Sequence, residues 1–246
     1  MNSGQMPNEK SQLRRIAAIY SSESLAGLNE QYHTYLRDAI IPSGGGRSAL
    51  EVGCGKGLWT ASLCTLYDRL DVVDGSAELI AKVACLCTQR AHLTTHVAMA
   101  EEFFWWSSDT WQHIYMTFLL EHLKDPVSVL QMVPAHLDQD GMLFVAVPNA
   151  DSVHRVLAQR AGLLRSTCEL SEQDVIVGHR RVYTRDLLRE HLHQAGFQII
   201  EEKSMGLKPL TLKQLEVLPA SVMAALCRSG DLVPCNAAYL TAVARP

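Results

Sequence analysis

Three glycines at alternate positions follow a short apolar run that carries one acid. In ALEVGCGKGLWT, Gly53, Gly55 and Gly57 come directly after the run that contains Glu51. Glycine has no Cβ atom and tolerates positive φ, so the main chain of such a loop can approach a ligand closely. The pattern predicts that a nucleotide-like molecule binds where a strand turns into a helix.

The spacing of the glycines disfavours two common ligands of such loops. A dinucleotide fingerprint needs a third glycine at position 58, where the chain has Leu58. A phosphate-binding P-loop needs serine or threonine after its Gly-Lys pair, whereas Lys56 is followed by another glycine. The acid at position 51 suits instead a cationic ligand with an amino acid part and no phosphate.

A second acid ends the next apolar run along the chain. Asp74 closes LDVVD and is followed by Gly75. At the end of a second strand, a carboxylate is placed to accept both hydroxyl groups of a ribose. The two acids and the glycine loop together indicate a ligand that contains a nucleoside.

These residues must be positioned by a regular alternation of strands and helices. Residues 11–41 predict one or two helices that end at Pro42. From residue 48 the predicted order is strand SALEV, helix LWTASLCTLY, strand RLDVVD, helix SAELIAKVACLCTQ, strand TTHVAMA, strand HIYMTFLL, helix DPVSVLQMVPAHL and strand GMLFVAVPN. Such short connections predict βαβ units and a parallel sheet covered on both faces.

The alternation is interrupted once and then resumes. Residues 150–178 contain helical fragments and polar turns but no predicted strand. A helix then ends at Gly196, the strand FQIIEEKSM follows, and a helical stretch near 211–228 precedes the last strand, AAYLTAVA. We therefore expect one insertion in an otherwise continuous α/β unit.

The motifs, in this order, resemble those of the class I S-adenosylmethionine-dependent methyltransferases over about residues 48–202. The segments that carry the resemblance are ALEVGCGKG, DVVDGS, AMAEEF, FLLEHLKDP, GMLFVAVPN and GHRRVYTRDLLREHLHQAGF. The last is similar to a segment of small-molecule methyltransferases, including those of ubiquinone and secondary metabolism. The resemblance implies a Rossmann-like doubly wound α/β fold with a seven-stranded, mostly parallel sheet and a cap insertion after the fifth strand.

The same resemblance implies a division of the chain and a cofactor. Residues 1–42 would form an N-terminal helical lid, and residues 43–246 a methyltransferase domain with a substrate-cap insertion at 150–183. The cofactor would be S-adenosyl-L-methionine, with S-adenosyl-L-homocysteine as product. Its expected contacts are Glu51, Gly53, Cys54, Gly55, Gly57, Asp74, Gly75, Ala100, Glu101 and Phe118.

The adenine segment departs from the family pattern. Met99 stands where many members carry aspartate, so we expect the adenine amine to meet the backbone near Ala100 or the side chain of Glu101. One aromatic ring of the run Phe103–Trp106 is expected close to the adenine.

Two histidines are the candidate catalytic residues. His122 in EHLKDP lies where the transferable methyl group should point, and His179 follows the insertion in GHRRVYT. Imidazole titrates near neutrality and can take a proton from an acceptor. The expected substrate-binding residues are Tyr20, His122, Arg180 and Tyr183. The alternatives are that His122 caps a helix and that the cluster near His179 locks the insertion onto the sheet.

The acceptor pocket is expected between the N-terminal helices, residues 150–183 and a segment near 204–218. No metal constellation accompanies the motifs, and the spacing of His191 and His193 does not suit a metal pair, so we expect no metal.

The predicted reaction is in-line transfer of a methyl group to oxygen or nitrogen of a small molecule, such as a secondary metabolite or a sugar intermediate. The alternatives are a non-catalytic S-adenosylmethionine-binding regulator and an NAD(P)-dependent oxidoreductase, which Leu58 disfavours. A net charge of −4 and a pI near 6.2 argue against nucleic acid and membrane partners. The protein is expected to be a monomer or a homodimer.

The chain predicts a cytoplasmic location. Its first residues lack the apolar segment of a secretion signal, and no apolar run is long enough to span a bilayer. The seven cysteines are odd in number and form no CxxC pair, which indicates free thiols in a reducing compartment.

Overall fold

The computed structural model describes residues 26–86 and 92–246. The strands are β1 Gly46–Val52, β2 Tyr67–Asp74, β3 Leu93–Val97, β4 Trp111–Thr117, β5 Leu137–Pro148, β6 Gln198–Met205 and β7 Tyr239–Arg245. The helices are α1 Ala26–Ile40, α2 Leu58–Leu66, α3 Ala77–Leu86, α4 Ala100–Trp106, α5 Pro126–Met132, α6 Val153–Arg160, α7 Glu172–Ile176, α8 Arg185–Gln194, α9 Leu212–Leu215 and α10 Ala220–Arg228. Short 3-10 helices cover Val133–His136 and Gly230–Leu232.

The seven strands form one sheet in the order β3-β2-β1-β4-β5-β7-β6. Neighbouring strands from β3 to β5 are parallel, and β7 is antiparallel to both β5 and β6. The predicted Rossmann-like, mostly parallel seven-stranded fold is confirmed. The strand order reverses between β1 and β4, which opens a crevice at the carboxyl ends of these strands.

Helices cover both faces of the sheet because its strands are apolar on both sides. One core contains Tyr32 of α1, Leu63 of α2 and Met223 of α10. The second core contains Phe103 of α4 and Leu188 of α8. No helix of the described ranges is long and apolar enough to cross a membrane, and every cysteine in those ranges is a free thiol.

Several helices begin or end at the residues that the sequence predicts. Asp125 caps α5, with its Oδ1 accepting from the N–H of Ser128 at 3.0 Å, and Pro126 is the first helical residue. Gly196 follows α8 with φ of 86°. The insertion after β5 forms α6 and α7 and contributes no strand of the sheet.

Two local expectations differ from the structure. Helix α4 was not predicted, because its seven residues are mostly bulky aromatics and acids without a clear apolar period. The helical stretch near 211–228 is divided into α9 and α10, since Pro219 has no N–H to continue a helix and becomes the N-cap of α10.

Candidate active site

A cavity of about 1030 Å³ lies at the carboxyl ends of the central strands. The last residues of four strands line it: Val52, Asp74, Thr117 and Pro148. All three segments expected around the acceptor contribute to its wall, through His33 of α1, His154 of the insertion and Lys208 after β6. The switch in strand order thus creates the cavity, and the helical additions enclose it.

The glycine loop forms one end of this cavity. Gly53, Gly55 and Gly57 have φ of 83°, 50° and 83°, values that favour glycine. A Cβ atom at Gly55 would meet no atom within 4 Å, whereas one at Gly57 would lie 2.6 Å from Cδ1 of Leu86. Gly53 and Gly55 line the cavity, while Gly57 is the N-cap of α2 and faces α3.

Glu51 does not line the cavity, in contrast to its expected cofactor contact. Its side chain is buried beneath the loop, where Thr60 Oγ1 of α2 donates to its Oε2 at 2.5 Å. Burial raises the pKa of Glu51 to about 8, against the lowering effect of the Thr60 hydrogen bond. Glu51 therefore joins β1 to α2 and supports the loop from below.

Asp74 ends β2 on the cavity wall and holds the glycine loop. Its Oδ2 accepts from the N–H of Cys54 at 3.1 Å, and its Oδ1 accepts from the N–H of Ser76 at 2.8 Å. Burial raises the pKa of this carboxyl although these hydrogen bonds lower it. The Sγ of Cys54 and the backbone of Gly55 also form hydrogen bonds with this carboxyl. Gly75 follows on the same wall.

Cys54 also lines the cavity. Its Sγ lies 3.6 Å from Oδ2 of Asp74. Burial, together with the charges of Asp74 and Glu51, raises the pKa of the thiol. The thiol therefore stays protonated and serves as a small loop residue, because nucleophilic cysteines require a lowered pKa.

The segment after β3 borders the cavity through Ala98, Met99, Ala100 and Glu101. The aromatic residues that follow it in α4 do not line the cavity. Phe103 and Phe104 are buried in the core, whereas Trp105 and Trp106 are 84% and 54% exposed. The helical turn directs two of these rings into the core and two towards solvent, and the expected contact of one ring with the adenine stays a prediction.

The residue after β4 links the cavity to α1. Phe118 lines the wall with φ of 56°, the one non-glycine residue with positive φ among the described residues. Its ring stacks on His33, with centroids 4.1 Å apart, and meets Tyr239 edge-on at 5.4 Å. Sequence reasoning missed His33, since its partners are distant in the chain.

His122 and His179 come together in the same cavity. Their ring centroids are 4.8 Å apart, and His179 Nδ1 lies 2.9 Å from Oδ1 of Asp174. Burial, and the neighbouring His179, lower the pKa of His122 to about 3, so its ring is neutral at pH 7. Burial would raise the pKa of Asp174, but hydrogen bonds from His179, Ser171 and Arg155 hold it below the usual range.

Two arginines fix the loop that carries His122. The N–H of Arg180 donates to the carbonyl of Glu121 at 2.8 Å, and its Nε donates to the carbonyl of His122 at 3.0 Å. The guanidinium of Arg181 donates to three further carbonyls, those of Leu120, Leu123 and Lys124. The segment after the insertion therefore holds the loop after β4 in place, and Arg180 also reaches the cavity wall.

Tyr183 is not on the cavity wall, which corrects its expected contact with substrate. It is fully buried, and its hydroxyl lies 3.1 Å from Nδ1 of His191. Its backbone pairs with Asn149, which anchors the end of the insertion to β5. Tyr20, the other tyrosine expected at the acceptor, lies outside the described residues.

Lys208 is a cavity residue that sequence reasoning did not single out. Burial lowers the pKa of its ammonium group to about 8, with Asp174 raising it and Arg155 lowering it. It faces the part of the cavity that also contains His154, whose pKa burial lowers to about 2. This part of the site can accommodate a polar or anionic ligand.

A family model described as a methyltransferase domain matches residues 12–202. No curated protein matches the sequence. The N-methyltransferase NodS from Bradyrhizobium japonicum WM9, solved with S-adenosyl-L-homocysteine, has a TM-score of 0.59 at 16% identity, covering 96% of this chain and 96% of NodS.

Two further solved structures have the same fold. An S-adenosylmethionine-dependent methyltransferase from Mesorhizobium loti has a TM-score of 0.62 at 15% identity, covering 89% of this chain and 100% of that one. Magnesium protoporphyrin IX methyltransferase from Synechocystis PCC 6803, with S-adenosyl-L-homocysteine bound, has a TM-score of 0.62 at 13% identity, covering 96% and 94%. The family match spans well over half of the chain, and the chain therefore belongs to the class I S-adenosylmethionine-dependent methyltransferases.

Proposed function

We propose that this methyltransferase transfers the methyl group of S-adenosylmethionine to an oxygen or nitrogen of a small molecule, such as a secondary metabolite or a sugar intermediate. The observation that carries the proposal is one cavity that contains both a nucleoside-type end and a separate polar end. Asp74 and the glycine loop line the first, and His122, His179 and Lys208 line the second.

The size of the cavity supports two ligands bound side by side. Pockets for one small ligand are typically about 300–1,000 Å³. The volume here, about 1030 Å³, lies just above that range. A macromolecular acceptor would instead need an open groove, and a protein of net charge −4 has no general attraction for nucleic acid.

The cofactor would lie along the ends of β1, β2 and β4. The carboxylate of Asp74, at the end of β2, suits the two ribose hydroxyls, and Gly75 leaves room beside it. Gly53, Cys54 and Gly55 would contact the amino acid part through main-chain atoms. Ala100 and Glu101 would border the adenine, and Phe118 the sulfur end.

Transfer needs little besides alignment, because the sulfonium carbon is already electrophilic. The acceptor's lone pair forms the new bond to the methyl carbon, the carbon–sulfur bond breaks, and its electron pair neutralises the sulfur. The acceptor then loses one proton. His122, whose ring is neutral at pH 7, and His179 are placed to orient the nucleophile or take this proton.

The experiment that tests the proposal is calorimetric titration with S-adenosylmethionine and S-adenosylhomocysteine, using Asp74→Ala as the variant and NADH as the control ligand. We expect both sulfur ligands to bind and the variant to bind about 10–100-fold more weakly, as expected for lost hydrogen bonds to a charged group. Acceptors are then screened for incorporation of radiolabelled methyl. Binding of NADH alone would overturn the proposal, and binding without transfer to any acceptor would favour a regulatory binding protein.

A further inference from the structure

Three side chains of metal-binding types converge at the polar end of the cavity. Glu121, His122 and His179 each offer one ligand atom, and these atoms lie within 4.8 Å of one another. All three residues line the cavity. One carboxylate and two imidazoles are a frequent ligand set for catalytic metal sites, which keep a coordination position open for substrate.

Glu121 is the observation that points to a missing partner. Its side chain is 1% exposed, and neither carboxylate oxygen has a hydrogen-bond partner within the described residues. Burying an unpaired carboxylate is costly, so such a group calls for an explanation, of which a bound ion is one. A bound cation would satisfy both oxygens.

Both histidines already use one ring nitrogen in a way that suits metal ligation. His179 Nδ1 pairs with the carboxylate of Asp174 at 2.9 Å, and His122 forms a hydrogen bond with the backbone of Gly178. Each ring therefore has its second nitrogen available as a lone-pair donor. Metal-bound histidines almost always donate their other N–H to a carboxylate or a backbone carbonyl.

The backbone holds the three residues in place without a metal. Arg180 donates to the carbonyls of Glu121 and His122, and Arg181 donates to carbonyls on either side of them. Asp174 is itself fixed by Arg155, whose Nη1 lies 2.8 Å from Oδ2 of Asp174. A cation would bind to an organised site, which reduces the cost of binding.

We propose that Glu121, His122 and His179 bind one divalent transition-metal cation of the Zn²⁺ type, with an open position towards the acceptor. Imidazole ligands favour such ions over Mg²⁺ and Ca²⁺, which prefer oxygen ligands. The cation's part in catalysis rests on the proposed function. An acceptor hydroxyl bound to it would lose its proton to solvent more readily, because a bound cation lowers the hydroxyl pKa.

The test is calorimetric titration of tag-free, chelator-treated protein with ZnCl₂ and, separately, MgCl₂. We expect one Zn²⁺ site and much weaker binding of Mg²⁺. Glu121→Gln and His179→Asn should each weaken Zn²⁺ binding at least tenfold. His193→Asn is the matched control, since His193 is exposed on α8 away from the cavity, and it should bind as the wild type does.

Thermal unfolding gives a second result, which a purely structural role of Glu121 would not produce. Without metal, Glu121→Gln should unfold at a higher temperature than the wild type, because it removes an unpaired buried charge. It should also lose the stabilisation that Zn²⁺ gives the wild type. The proposal is overturned if the variants bind Zn²⁺ as tightly as the wild type, or if the wild type binds none.

Cofactor binding and Zn²⁺ binding, measured on the same protein, test the proposed function and the metal site independently. Asp74 and the glycine loop are not among the three proposed metal ligands, so metal-free protein should still bind S-adenosylmethionine. If the protein binds the cofactor but not Zn²⁺, the proposed metal site is contradicted and the proposed function is not. If the protein binds Zn²⁺ but not the cofactor, the proposed function is contradicted and the proposed metal site is supported.

Discussion

The imidazole of His33 lies parallel to the ring of Phe118, with centroids 4.1 Å apart and planes 2° from parallel. Burial, with Lys208 nearby, lowers the pKa of His33 to about 4, so the stacked ring is neutral at pH 7. The contact joins α1 to the end of β4 across 85 residues of sequence, counted from position 33 to 118. It places a residue of the N-terminal helix directly on the cavity wall.

This contact should be measurable as a coupling free energy. His33→Ala, Phe118→Leu and the double variant form a cycle whose coupling we expect to be about 0.5–1.5 kcal/mol, as for other stacked ring pairs. Urea unfolding at pH 7 measures it. His33→Ala combined with Phe104→Leu is the control, because Phe104 lies in the other core, and that pair should add to within about 0.5 kcal/mol. Additivity in the first cycle would contradict the stacking contribution.

Two glycines of the loop should respond differently to the same substitution. Gly55→Ala places a methyl group in open space at the cavity, so we expect modest destabilisation, about 1–2 kcal/mol for its positive φ, but at least tenfold weaker binding of S-adenosylmethionine. Gly57→Ala places its methyl group against the exposed side chain of Leu86, which can move, so it should destabilise the protein by a similar amount for its positive φ while leaving the cofactor affinity of the folded fraction nearly unchanged. Thermal unfolding and calorimetry test both, and equal cofactor affinities in the two variants would contradict the assignment.

Much of this site could be predicted from local sequence. The glycines and Asp74 carry their own signal, because the turn after a strand determines where they lie. Their order also indicates the parallel sheet. The N-cap at Asp125 and the end of α8 at Gly196 are equally local, since each depends on residues within one helical turn.

The remaining features depend on contacts between distant segments. Glu51 has the residue type expected of a cofactor contact, but its alternation along β1 directs it to Thr60. Tyr183 resembles a substrate residue until its pairing with Asn149 places it in the core. Lys208 and His33 have no motif, and only packing brings them to the cavity. A sequence without aligned relatives carries no signal for such contacts.

Glu51 should make the stability fall as pH rises from about 4.5 to about 8. Its folded pKa is raised to about 8, above the unfolded value of 4.5, so its contribution is fully present below about 4.5 and lost as pH rises through 8. Glu51→Gln keeps a hydrogen bond to Thr60 and cannot ionise. From pH 6 to 9, the variant should therefore gain stability relative to the wild type by more than about 1.4 kcal/mol, the equivalent of one pKa unit. Urea unfolding at several pH values measures this, and parallel curves would contradict it.

Lys208 should destabilise the protein at neutral pH, because burial disfavours its charged ammonium group. An anionic group of the acceptor would compensate this charge, so we expect such a group to bind beside Lys208. Its folded pKa is lowered to about 8 from 10.5, so its contribution to stability is present above about 10.5 and is lost as pH falls through 8. Lys208→Met should therefore raise stability at pH 7 by on the order of 1–3 kcal/mol, and this gain should shrink towards pH 10.

The substitution Lys208→Met should affect binding of the acceptor but not binding of S-adenosylmethionine. Lys208→Met should bind S-adenosylmethionine as the wild type does, because the charged partners of Lys208 are Asp174 and Arg155 and not residues of the glycine loop. For an anionic acceptor found in the radiolabel screen, KM should rise at least tenfold with a smaller change in kcat, since a charge-assisted contact is worth about 1.5–3 kcal/mol. Lys213→Met, at an exposed part of the same wall, is the control and should change neither value. An unchanged KM together with increased stability would show that Lys208 is buried for a reason other than acceptor binding.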